Sequence, residues 1–258
     1  MCNTSLHKLK DEKRGLKEMS FQCSRLLECL PAAILATEQA APCGNKGPHP
    51  LFRDPRPHLA NPKGEWRECH WEEALWRKYG QDNSAAVPGF WSRLLSYQVM
   101  LRNTNKGDAG WGEIDLLAVT ANGSPAVVEL KQEGCKKSPL RLLMEGCAYA
   151  IAVKKCWSAF GPRFVARIAN IELASRSLQQ LQPQEYPVIC LAPQRYWSWC
   201  LSVGDLQPAW PIFHQLIARL TELGFPVSFA AVHHEGKDEF GLPKIIGISH
   251  VFASTGRA

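Results

Sequence analysis

"GEIDLLAVTANGSPAVVELKQ" runs from Gly112 to Gln132 and sets Asp115, Glu129 and Lys131 inside two otherwise apolar runs. The runs "EIDLLAV" and "PAVVELK" are short and rich in Ile, Leu and Val. Between them "TANGS" carries Asn122-Gly123, a strong hairpin-turn signal. An antiparallel hairpin with its core over Gly112 to Ala126 is expected. Side chains alternate faces along a strand, so Glu113 and Asp115 share one face of the first strand, and Glu129 and Lys131 one face of the second. A register that sets Asp115 near Glu129 brings two carboxylates together beside an ammonium. Such a pair in a partly buried setting repels, and one member holds a proton unless a cation sits between them.

Oxygen donors of this kind, with room for a backbone carbonyl and water, favour Mg2+ or Mn2+ over Zn2+, which prefers nitrogen and sulfur. A divalent ion there polarises a phosphodiester and acidifies bound water, and the nearby Lys131 orients that water or neutralises charge on the phosphorane. Hydrolysis of phosphodiester bonds is the chemistry this implies. Each of the three charges alone is at home on a solvated strand face, where a pair contributes under ~1 kcal/mol. Three of them within buried strands are expensive without a role.

Outward from the hairpin, "SPLRLLMEGCAYAIAVKKCW" opens with Ser138 as N-cap and Pro139 at the first helical position, so a helix over Ser138 to Lys155 is expected. Upstream, Trp71 to Tyr79 suits a short helix, and Pro88 starts a second over Pro88 to Tyr97, its end turning extended. Downstream, Tyr186 to Pro193 reads as a buried strand, "WPIFHQLIARLTELG" as a helix stopped by Gly224, and "FPVSFAAVHHE" and "KIIGISHVF" as two more strands. Lys8 to Gln39 carries Leu16, Met19, Leu26, Leu27 and Leu30 at helical spacing, and six prolines between Pro42 and Pro62 make a linker or surface loop. The order describes a mixed α/β fold with a central sheet flanked by helices.

An acidic residue on one strand, a turn, and Glu-x-Lys on the partner strand resemble the active-site signature of the PD-(D/E)XK, or restriction-endonuclease-like, nuclease superfamily. The matching residues are Asp115 and Glu129-Leu130-Lys131. With an N-terminal helical arm and an extra C-terminal helix plus hairpin left outside it, the resemblance covers Trp66 to Pro193 and implies a restriction-endonuclease-like mixed central sheet flanked by helices. It divides the chain into residues 1–65, arm and linker, and 66–258, nuclease-like domain. It implies a metal-dependent nuclease in which Asp115, Glu129 and the Leu130 carbonyl hold Mg2+ (or Mn2+), Lys131 orients the attacking water, and the substrate is DNA. RNA and a homodimeric assembly are left open.

Two departures accompany it. The following helix offers Glu145 and Tyr149 where Gln-x-x-x-Tyr is usual. Pro88 to Tyr97 contains no carboxylate where these families often supply one from the first helix, and the nearest upstream acids are Glu72 and Glu73. Glu113, Glu145 and Tyr149 are candidates for the surroundings of the site. Lys136, Lys137 and Arg141, just past the Glu-x-Lys strand, are candidates for phosphate contacts, and Trp111 for stacking on a base.

A net charge of +6 permits an anionic partner without demanding one. Ten scattered cysteines with no C-x-x-C pair read as reduced thiols, which with no long apolar run points to a cytoplasmic protein and no membrane partner. Two other readings stand beside the nuclease. One is an inactive module of the same fold that binds nucleic acid or protein; the other is an unrelated α/β enzyme with a structural ion pair in its hairpin.

Overall fold

The computed structural model describes residues 5–6, 18–42, 66–80, 85–101, 111–169 and 183–252. The start of the N-terminal helical stretch and most of the proline-rich segment, residues 43–65, lie outside them. In chain order the elements are α1 (Met19–Ala40), α2 (Glu68–Tyr79), β1 (Arg93–Met100), β2 (Glu113–Val119), β3 (Pro125–Leu130), α3 (Pro139–Lys155) and α4 (Trp157–Ala169). There follow β4 (Val188–Pro193), α5 (Gln194–Ser202), a 3-10 turn (Gly204–Ala209), α6 (Trp210–Glu222), β5 (Val227–Lys237) and β6 (Pro243–His250).

The six strands lie in one mixed sheet in sequence order. β1, β2 and β3 form an antiparallel meander, β3, β4 and β5 run parallel, and β6 returns antiparallel at the edge. Parallel neighbours need long crossovers, and α3 with α4, then α5 with α6, supply them. "VICLAP" of β4 is buried at every position, as a central parallel strand covered on both faces must be. One core packs Ile114, Leu117 and Val127 against α1, α3, α4 and α6, through residues such as Leu30, Leu143, Phe160 and Phe213. The other packs Leu116, Val128 and Leu191 against Trp71, Leu75 and Tyr79 of α2.

Local signals placed the hairpin and α3. Gly123 takes φ +84 in the β2–β3 turn, closed by Thr120 N–H donating to Ser124 O at 3.0 Å. Ser138 Oγ accepts from Arg141 N–H at 3.4 Å and Pro139 opens the helix. The helix expected over Pro88 to Tyr97 is corrected: Gly89 at φ +84 stands in a tight turn bridged between Val87 and Trp91, and the chain then extends into β1. A left-handed glycine one residue after Pro88 ends any helix started there. The first helix before the hairpin is instead α2. α5 was not foreseen, because "QRYWSWCLS" follows β4 with no loop residue to announce it.

α3 approaches the sheet closely because Gly146 has no side chain. A Cβ there would stand 2.6 Å from Val188 Cγ1 and 3.4 Å from Glu129 Cβ. Gly146→Ala is therefore expected to cost about 1–3 kcal/mol by overpacking, at about 2–4 °C of Tm per kcal/mol. Thermal unfolding checks this, and an unchanged Tm contradicts it.

Seven described cysteines are free thiols, whereas Cys156 is disulfide-bonded, which corrects the expectation that all ten are reduced. No helix among the described residues is long and apolar enough to cross a membrane.

Candidate active site

The β2–β3 ladder runs from Val119 opposite Pro125 to Leu116 opposite Val128. Asp115 and Glu129 come next, where the two strands part. There the Asp115 carboxylate takes the place of a ladder partner: its Oδ2 accepts from Leu130 N–H at 2.7 Å. Lys131, one residue past β3, turns back to donate to Leu130 O at 2.9 Å and to Glu129 Oε1 at 3.0 Å. The three charges of the hairpin thus converge at its open end. Part of Asp115 remains open to solvent although its carboxyl lies deep, while Glu129 and Lys131 are buried.

Two helices complete the cluster. From α3, Glu145 Oε2 lies 2.9 Å from Lys131 Nζ, an ion pair outside hydrogen-bond angles, and Oε1 accepts from Arg141 Nε at 3.2 Å. From α2, Glu68 Oε1 lies 3.6 Å from Lys131 Nζ, and buried Glu72 accepts through Oε2 from Gln98 Nε2 at 2.9 Å. Glu73 is committed elsewhere, taking both Nε and Nη2 of Arg77. Of the two upstream acids, Glu72 faces the hairpin charges.

The electrostatics follow from burial and crowding. Burial pushes Asp115 well above the carboxylate range, Glu72 adds to it, and Lys131 with the Leu130 N–H opposes it. Glu129 is raised by burial and then by Asp115, against the pull of Lys131. Lys131 is itself raised: burial lowers it, but Glu129, Asp115, Glu145 and Glu68 together outweigh that penalty. Glu145 is lowered, because Lys131 and Arg141 overcome its burial.

Glu72 is pushed up to about 8 by burial, with Glu68, Glu129 and Glu113 adding to the shift and Gln98 resisting it. A carboxyl raised in the folded state contributes stability that is full below its ordinary value of 4.5 and lost as pH climbs through about 8. With a chelator present, Tm is expected to fall between about pH 5 and pH 8. Glu72→Gln should remove part of that fall, about 2–4 °C for each kcal/mol. A variant with the parental slope contradicts the assignment.

The site has features that suit a divalent cation. Glu129 Oε2 is buried with no hydrogen-bond partner, and Asp115, Glu129 and Glu72 are all raised by burial and, after it, by neighbouring carboxylates. Among the described residues no group of three or more His, Cys, Asp or Glu side chains is arranged as a metal cluster. The donor set expected from the sequence, two carboxylates and a backbone carbonyl, is smaller than such a group and leaves the remaining positions to water.

Other expected residues sort differently. Lys136 and Lys137 are exposed on the turn after β3, whose path is fixed by Tyr196 Oη donating to Lys137 O at 3.0 Å. Arg141 is half-buried and engaged with Glu145. Glu113 is half-buried at the start of β2. Tyr149 is buried beside the cluster, its hydroxyl so near Gly112 that a Cβ there would stand 2.8 Å from it. Trp111 corrects the stacking expectation: it is 3% exposed within the core, so its ring is not offered to a base. Glu68 was missed, and its signal, an acid at the start of a helix, is too common to single it out. No protein-family model, curated protein or solved structure matches the chain.

Proposed function

We propose that the protein is a metal-dependent nuclease that hydrolyses phosphodiester bonds in DNA, with its reactive centre at the open end of the β2–β3 hairpin. The observation that carries this reading is the convergence of Asp115, Glu129 and Lys131, from separate positions of the sequence, on one buried point with Glu72 beside them. Asp115, Glu129 and the Leu130 carbonyl would hold Mg2+ or Mn2+, with Glu72 supplying further negative charge. Bound there, the ion contributes Lewis acidity toward a phosphate oxygen and lowers the pKa of water.

The chain's own groups do the rest. Lys131, kept protonated by four carboxylates, donates hydrogen bonds to a water or phosphate oxygen at the Glu129 edge and balances charge developing on phosphorus. Glu145, reaching in from α3 to within 2.9 Å, helps hold that ammonium in place. Exposed Lys136 and Lys137 attract the phosphate backbone toward the hairpin mouth. The same chemistry serves RNA, so DNA and RNA belong in one assay. Mg2+-dependent cutting of DNA that stops with a chelator is the expected result, and no cutting with either Mg2+ or Mn2+ contradicts it.

Glutamate at position 145 pairs with both Lys131 and Arg141. A carboxamide oxygen accepts from Lys131 as well, so Glu145→Gln is expected to keep cleavage within about tenfold of the parent. A loss of about a thousandfold or more would make the Glu145 charge itself part of the chemistry. The competing reading, a binding module without catalysis, is favoured by one feature: Lys131 already lies against the oxygens that a cation would need. Calorimetric uptake of Mn2+ separates the two readings.

A further inference from the structure

Gln98 has φ +51, and among the described residues no other non-glycine has a positive φ. It stands inside β1, where extended backbone is the rule, and the left-handed region is unfavourable for a residue with a side chain such as glutamine. Such a conformation persists only where its surroundings impose it.

The register shows what it accomplishes. Tyr97 pairs with Leu116 and Val99 with Ile114, which sets Gln98 level with Asp115 on the neighbouring strand. Residues two apart on a strand share a face, yet Tyr97 packs in the core on the α2 side and Val99 in the core on the α3 side. The strand turns over at Gln98, and its amide reaches α2, where Nε2 donates to Glu72 Oε2 at 2.9 Å. Glu72 belongs to a different element from the hairpin and stands among Glu68, Glu113 and Glu129, whose charges repel it. A donor aimed at its carboxylate opposes that repulsion.

We infer that Gln98 is a positioning residue, its backbone strained so that its amide holds the Glu72 carboxylate at the cluster beside Asp115. The inference rests on the reading of the cluster as a divalent-cation site. Gln98 touches no reacting atom and acts only through Glu72.

Two variants separate backbone from amide. Gln98→Gly removes the amide and relaxes the strained φ, whereas Gln98→Ala removes the amide and keeps the strain. Both are expected to weaken Mn2+ binding by calorimetry about tenfold, the effect of losing a group that orients a ligand. The glycine variant should unfold at no lower temperature than the alanine variant. A merely structural role predicts the same order of stability but leaves the Mn2+ affinity of the folded glycine variant unchanged, and that result overturns the inference.

Urea unfolding of Gln98→Gly, Glu72→Ala and the double variant, without metal, supplies a second test. The shifts in midpoint are expected to be non-additive, because the two residues share one hydrogen bond, and additive shifts overturn the inference. If the parent takes up no Mn2+, the cation reading fails and this cycle alone judges the Gln98–Glu72 link.

Discussion

Glu129→Gln is expected to lower Mg2+-dependent cleavage about a thousandfold while leaving the protein folded. The carboxamide keeps the shape of the side chain but loses the charge that would bind a cation. Stability should not suffer. Glu129 is raised by burial and by Asp115, so its contribution is full at low pH and is lost as pH rises. A neutral glutamine is exempt from that loss, and the metal-free variant should match or exceed the parental Tm at about pH 8. Cleavage assays paired with thermal unfolding check both halves, and a folded variant that cuts at the parental rate refutes the role given to Glu129.

Lys131→Met should combine the largest loss of activity with a large loss of stability. Lys131 is buried against Glu129, Glu145 and Leu130 O, with Glu68 a little farther away. Removing one partner of a buried ionic network leaves uncompensated charge and costs about 3–5 kcal/mol, at about 2–4 °C of Tm per kcal/mol.

The sign of the pH dependence follows from Glu145. With Lys131 present its pKa is lowered, so its contribution is present above the ordinary value and lost as pH falls. Without Lys131 that contribution disappears and burial raises the remaining acids, so the deficit should be larger at about pH 8 than at about pH 4, where they take up protons. Thermal unfolding of parent and variant at the two pH values measures it. An equal deficit at both, or none, contradicts the network.

What the sequence made legible was local. Asn122-Gly123 and Ser138-Pro139 specify their turn and cap within a few residues, so the hairpin and α3 were readable and carried the convergence of Asp115, Glu129 and Lys131 with them. The misread parts depend on distant partners. Pro88 suggested a helix because nothing nearby reveals that "RLLSYQVM" pairs with β2, or that Gln98 reverses its faces. Glu72 looked remote from the hairpin because its closeness arises only when α2 packs on the far face of the sheet. Trp111 looked available because its burial in the core is a tertiary fact. The alternation rule placed Glu129 and Lys131 together correctly, but it could not say that β2 and β3 part at Asp115.

The open end of the hairpin is proposed to hold a divalent cation between Asp115 and Glu129. A crystal soaked in Mn2+, with data collected at an energy where manganese scatters anomalously, tests it most directly. An anomalous peak bounded by the Asp115 and Glu129 carboxylates and the Leu130 carbonyl, and absent in Glu129→Gln, is the expected result. A crystal that takes up Mn2+ elsewhere, with no peak at the hairpin, would contradict it.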